Sequence, residues 1–140
     1  INLLFGYNNW RYYLGYTYVD ATRDTPVGDS EMPLVSKHRF NQMLIWEKEG
    51  DFRIGLEAYY FSEQERENDT TGRDYWVFGL MSEKELNEHL TAFLNFENFT
   101  DARQTRYEAI NTGDLANPVF RDIYAPLDGF VVNGGVRITW

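Results

Sequence analysis

The sequence predicts an all-β protein, a series of long antiparallel strands in up-and-down order that form the wall of a transmembrane β-barrel. Three observations carry this reading. Apolar and polar residues alternate with a period of two along most of the chain. Aromatic residues reach 17%, with ten Tyr, ten Phe and four Trp, yet no stretch approaches the roughly 20 apolar residues of a spanning helix. Connections between the alternating segments are short and long by turns, as in barrels with short periplasmic turns and long extracellular loops.

Seven strands emerge in order. The first spans residues 2–7, and Asn8-Asn9 make a tight turn. The second covers 10–21, and a polar, Pro-containing loop follows over 22–36. The third covers 37–49, and Gly50-Asp51 turn it back into the fourth, 52–64. A charged loop at 65–73 precedes the fifth strand, 74–83, which turns at 85–88 into the sixth, 89–99. A long irregular stretch, 100–128, leads to the last strand, 129–140. The segment 82–90 contains helix formers but is too short to be a stable helix alone. Most of these strands approach the about 9–11 residues that cross a bilayer at a tilt, against about 5–6 for a soluble strand. With Trp140 at the periplasmic edge, every short turn falls in the periplasm and every long loop outside.

Alternation assigns faces. In the fourth strand Phe52, Ile54, Leu56, Ala58 and Tyr60 share one side, and Arg53, Gly55, Glu57 and Tyr59 the other. In the last strand Phe130, Val132, Gly134, Val136, Ile138 and Trp140 oppose Val131, Asn133, Gly135, Arg137 and Thr139. Trp10, Tyr12, Leu14, Tyr16 and Tyr18 form a similar stripe, and Ala92, Leu94 and Phe96 oppose Asn95 and Glu97. Leu44, Trp46, Trp76, Phe78 and Leu80 are expected to face outward with them. A soluble barrel with its apolar face inside would alternate equally. Two features favour lipid. Trp10, Phe52, Tyr60 and Trp140 sit at strand ends, where membrane barrels carry aromatic girdles. Arg53, Glu57, Glu97 and Arg137 would be costly in a dry core but are easily solvated or paired in a wet lumen. These four are the expected lumen-facing residues.

Bulk properties exclude several functions. The net charge of −9 argues against a nucleic-acid partner, which needs clustered Lys and Arg. No cysteine is present, which excludes disulfides, thiol catalysis and thiolate metal sites. The chain opens at Ile1 without a basic n-region or an apolar h-region. An exported barrel reading therefore expects a mature protein or a portion of a longer one.

The C-terminus carries a motif. Asn133, Gly135, Ile138 and Trp140 fall where bacterial outer-membrane proteins have a polar residue, a Gly, an apolar residue and a terminal aromatic. The run resembles their insertion signal, which a barrel-assembly machine reads by pairing with the free edge of the last strand. Three further stretches resemble TonB-dependent receptors of the Bacteroidetes type. They are Lys37-His38-Arg39-Phe40-Asn41, the run WRYYLGYTYVD from Trp10, and LNFENFTDARQTR from Leu94. Ile123-Tyr124-Ala125-Pro126-Leu127-Asp128-Gly129 then leads into the closing strand, so the resemblance covers essentially the whole chain. It implies that residues 1–140 are the C-terminal portion of a receptor barrel of about 22 strands. The plug domain and TonB box of that family are absent from these residues. The implied partners are outer-membrane lipid, the plug and remaining strands, the TonB complex through the missing N-terminal part, and the barrel-assembly machinery. The implied activity is import of a large nutrient such as a ferric siderophore.

No catalytic residue, cofactor or metal site is expected. Glu47 and Glu57 could be imagined as an acid–base pair, but lumen and surface charge explains them better. His38 and His89 lie near opposite ends of different strands, whereas a metal needs convergent ligands. There is no HExxH, phosphate loop or Ser-His-Asp pattern. The sequons at Asn68 and Asn98 are chance matches. Arg103, Arg106, Tyr107, Arg121 and Tyr124 flank the last long loop and are the candidate ligand-binding residues. Arg and Tyr suit an anionic chelate or a sugar, through bidentate hydrogen bonds and ring stacking, and loop packing competes with that role at each position. Two other functions fit the same sequence. One is a small stand-alone outer-membrane barrel, adhesive or structural, and the other is a soluble β-barrel that binds an apolar ligand.

Overall fold

The alternating segments pair as expected, and the protein is all-β. In the computed structural model, which describes residues 1–26, 28–67 and 70–140, the strands follow in order. They are β1 (Asn2–Tyr7), β2 (Trp10–Tyr18), β3 (Thr22–Thr25), β4 (Gly28–Glu31), β5 (His38–Lys48), β6 (Phe52–Phe61), β7 (Gln64–Glu65), β8 (Thr71–Gly72), β9 (Tyr75–Asn87), β10 (Leu90–Glu97) and β11 (Val131–Ile138). Seven of them build one antiparallel sheet in the order β1-β2-β5-β6-β9-β10-β11. Each sheet strand therefore lies beside its neighbour in sequence. The short turns gather along one edge of the sheet and the long connections along the other.

Several boundaries differ from the sequence expectation. The second strand ends at Tyr18 and the fourth at Phe61, because the chain leaves the sheet to form two small hairpins. The pair β3–β4 occupies the first long loop, and β7–β8 the second. The fifth strand runs on to Asn87, so the turn falls at residues 88–89, beyond the expected 85–88. Glu83 pairs in register with Arg53 on one side and Phe93 on the other, and the irregularity between Leu90 and Thr91 absorbs one residue. Asn87 closes the turn by accepting the His89 N–H at 3.0 Å. The last strand ends at Ile138, before Trp140.

The register turns the face assignments into rows. Phe5, Tyr12, Leu44, Leu56, Leu80, Phe96 and Val132 lie directly opposite one another across all seven strands. Toward the long loops, Tyr16, Phe40, Tyr60 and Trp76 form a parallel row. Its rings touch in sequence, with centroids 4.8, 5.9 and 5.0 Å apart, and the chain of rings continues through Phe78 to Phe99. Toward the short turns, Tyr7, Trp10 and Trp46 share another row. Leu44, Trp46, Trp76, Phe78 and Leu80 thus stand on the same face as Leu56. Arg53, Glu57, Glu97 and Arg137 stand together on the opposite face.

That opposite face is polar and partly stripped of side chains. A Cβ on Gly15 would meet the Tyr13 hydroxyl at 2.8 Å, and one on Gly55 would meet Met81 at 2.9 Å. The Phe93 ring lies over Gly135 in the same way. These glycines let large neighbours lie flat on the polar face.

The distribution of burial is the most informative feature of the fold. Tyr124 is the one buried apolar side chain among the described residues, at 6% exposure. Leu56, Leu94, Val136 and Ile138 are all exposed. Ser36, Gln64, Arg66, Asn98 and Gln104 are the buried polar residues. Among the described residues, Leu44, Leu56, Trp76, Leu94, Val136 and Ile138 of the apolar face stay exposed.

Candidate functional site

The third long connection folds back over the long-loop edge, and polar side chains hold it there. Asn98 takes a left-handed backbone, with φ of 47°, which starts the loop. Its carboxamide donates to the Ala102 and Asp128 carbonyls at 2.9 and 3.1 Å and accepts from the Ala102 N–H. One side chain thereby clamps both ends of the excursion. Asp101 adds a second clamp, accepting the Phe130 N–H at 3.2 Å.

Gln104, fully buried in a short 3-10 turn, organises the middle. Its Nε2 donates to Glu108 at 2.9 Å and to the Asp122 carbonyl at 2.8 Å. Its Oε1 accepts from the Tyr124 and Ala125 amides at 3.0 and 3.4 Å. The full hydrogen-bonding capacity of a carboxamide is used. Gln64 on β7 donates to the Tyr124 carbonyl at 3.1 Å, which ties the loop to the neighbouring hairpin.

An ion cluster completes the link. Arg66 makes a two-pronged contact with Glu108, at 3.1 and 2.9 Å, and Arg121 reaches the same carboxylate at 2.9 Å. The Arg66 guanidinium also lies 4.6 Å above the Tyr124 ring. Burial pushes the Glu108 carboxyl up, but hydrogen bonds from Arg66 and Arg121 outweigh it and hold it below the ordinary range. Asp101 follows the same logic: burial raises it, and Arg103 with the Phe130 N–H holds it below the ordinary range.

The five residues expected at a ligand divide between two cavities. Arg103, Arg106, Tyr107 and Tyr124 line one of about 360 Å³, with Arg73 and Trp76. Arg121 lines a separate one of about 720 Å³, beside Arg66 and Glu108. In the first, Arg103 turns onto Asp101 at 2.8 Å, Arg106 donates to the Thr100 and Asp101 carbonyls, and Arg73 lies 4.8 Å above the Tyr107 ring. Tyr124 forms its buried floor against Gly72, where a Cβ would meet the ring at 2.7 Å. Arg73, Arg103, Arg106 and Asp74 thus share one space with Trp76, Tyr107 and Tyr124.

The polar face of the sheet carries a second constellation. Arg11, Glu47, Arg53, Glu83 and Arg137 form a ladder across five strands. Arg11 meets Glu47 at 3.2 Å, Arg53 meets Glu47 at 2.5 Å and Glu83 at 3.5 Å, and Arg137 meets Glu83 at 2.9 Å. Arg53 and Arg137 are brought together through Glu83. Glu57 accepts from Tyr59 at 3.0 Å, and Glu97 from Asn133 at 2.5 Å. Both carboxylates line a groove of about 460 Å³.

The terminal motif is spread over both faces. Asn133 and Gly135 lie on the polar side, where Asn133 also accepts from Asn95 at 3.0 Å. Ile138 lies on the apolar side, and Trp140 projects beyond the last strand, fully exposed. β11 is an edge of the sheet, so half of its backbone groups have no strand beside them.

Sequence reading missed Gln64, Arg66, Asn98, Gln104 and Glu108 as the framework of the loop. Asn98 alone had a local signal, the Asn-rich exit from a strand. The sequon at Asn68 includes residues outside those described, and among the described residues no His and acid cluster could hold a metal ion. No protein-family model matches the chain, and no curated protein matches it.

Proposed function

We propose that this chain forms part of the wall of an outer-membrane β-barrel, with its apolar face on lipid and its polar face on a water-filled lumen. One observation carries the reading: seven strands bear a continuous apolar face, and one apolar side chain is buried among the described residues. A water-soluble fold of this size needs a buried apolar core. A membrane barrel inverts that rule, because lipid covers the outer face. The two bands of aromatic rows, with Leu44, Leu56 and Leu80 between them, match interfacial girdles around an aliphatic belt. The charge ladder fits a wet lumen, where paired and solvated ions cost little.

The fuller reading is a TonB-dependent receptor of the Bacteroidetes type, importing a large nutrient such as a ferric siderophore. It rests on the sequence resemblance and on the long-loop cavity of Arg73, Arg103, Arg106 and Tyr107, which suits an anionic chelate. The open edges β1 and β11 suit pairing with the further strands of a large barrel.

Fractionation and detergent dependence test the barrel. The protein should partition with outer membranes, require detergent, and run faster on a gel unheated than heated. Monodisperse behaviour in detergent-free buffer would refute the reading. Isothermal titration with a ferric catecholate tests the ligand class, and Arg103→Ala with Arg106→Ala should weaken any binding about tenfold or more, as lost charge-assisted hydrogen bonds do.

A further inference from the structure

Within the strands of the sheet, the apolar face carries two ionised side chains among the described residues, Lys48 and Lys84. The register sets them in one row, Lys48–Phe52–Lys84, straight across β5, β6 and β9 at the short-turn edge. Both ammonium groups converge on Asp51 in the turn. Lys48 Nζ donates to Oδ2 at 2.7 Å, and Lys84 Nζ donates to Oδ1. Hydrogen bonds from the two lysines hold the Asp51 carboxyl at about 2, so it stays ionised.

On the apolar face, two cations sharing one carboxylate leave one positive charge in excess, the nearby Glu47, Glu83 and Glu85 standing on the polar face. Each ammonium has three donors and spends one here. Both side chains are well exposed, at 61% and 49%. Lys37, near the opposite edge, is instead matched by its own carboxylate, Glu31. One row in from the lysines stands Trp46, its ring 6.2 Å from that of Phe52. A surplus of positive charge therefore borders two rings, on the face proposed to meet lipid.

We propose that Lys48, Lys84 and the Trp46–Phe52 pair bind the phosphate of an anionic phospholipid at the inner-leaflet rim of the barrel. The amines take the phosphate oxygens, and the rings seat against the glycerol and upper acyl chains. Asp51 keeps the amines together without neutralising them. The inference rests on the lipid-facing reading of this face.

Native mass spectrometry of the detergent-purified protein tests it, with phosphatidylglycerol, phosphatidylcholine, lipid A and inorganic phosphate as probes. Phosphatidylglycerol should be retained over phosphatidylcholine. Each lysine near an anionic surface contributes about fivefold, so Lys48→Gln with Lys84→Gln should cut retention about tenfold or more. Asp51→Asn, which releases both amines, should raise it, and Lys37→Gln should leave it unchanged. Equal retention in wild type and the double variant would overturn the site. Preference for lipid A would overturn the inner-leaflet assignment, and full displacement by inorganic phosphate would reduce the site to a simple anion contact and overturn the lipid claim. Detergent dependence is read separately: a protein that needs detergent but shows no lysine effect refutes the site alone.

Discussion

Replacing Gln104 by Ala should release the last long loop while leaving the sheet intact. The side chain is fully buried and makes hydrogen bonds to Glu108, Asp122, Tyr124 and Ala125. Truncation leaves the Asp122 carbonyl and the Tyr124 and Ala125 amides without their partner. An orphaned buried polar group costs about 1–3 kcal/mol. Water entering the emptied space satisfies some of these groups, which brings the expected loss to about 3 kcal/mol, or about two orders of magnitude in local opening. Amide exchange read by mass spectrometry should show peptides from 104–126 exchanging about 100-fold faster, because exchange reports local opening. Peptides from β6 and β9 should keep their rates, since neither strand's ladder touches Gln104. Unchanged loop protection would refute the keystone role. Equal acceleration of loop and sheet would show that the loop is part of the cooperative fold, against the separation argued above.

Other perturbations probe the same structure. Gly72→Ala places a methyl 2.7 Å from the Tyr124 ring, which should cost about 1–3 kcal/mol as an overpacked contact and raise proteolysis within 100–128. The Glu108 carboxyl is held below its ordinary range by Arg66 and Arg121. Its contribution is therefore complete above the unfolded value of about 4.3 and is lost as pH falls through the folded value. Loop protection should drop on acidification below about pH 4, and Glu108→Gln should lack that step. Deleting Trp140, whose side chain is fully exposed, should lower the amount of folded protein in the membrane far more than the melting temperature of the survivors. Heat-modifiable mobility of membrane fractions beside thermal unfolding measures both. Normal membrane levels with a strongly depressed melting temperature would make Trp140 a packing residue instead of an assembly signal.

The sheet was legible because its signal is periodic and local. Leu56 and Arg53 fall on opposite faces by counting alone, and pairing across strands then carries Leu44, Trp46, Trp76, Phe78 and Leu80 to the side of Leu56. The alternation of short and long connections likewise needs only turn residues such as Asn8 and Gly50, both at positive φ. The loop framework was not legible. Gln104 and Gln64 have no special neighbours in sequence, and their partners lie 20 and 60 residues away at Tyr124. Arg66 and Glu108 meet across 42 residues. Long-range polar pairing leaves no periodic trace, and it replaces the hydrophobic cluster that sequence reading looks for first. Arg103, Arg106, Tyr107 and Tyr124 were found as a group because they are near in sequence, and Arg121 faces a different cavity because Glu108 holds it there.

Nitroxide accessibility at four adjoining sites tests the central claim most directly. Labels at Leu56 and Val136 sit on the apolar face, and labels at Glu57 and Arg137 sit one residue on, on the polar face. In liposomes the first two should be relaxed by oxygen, which concentrates in lipid, and shielded from a water-soluble nickel chelate. The second two should show the reverse. Leu56 and Val136 exposed to the chelate and shielded from oxygen would contradict a lipid-facing sheet, and the barrel reading would fall with it.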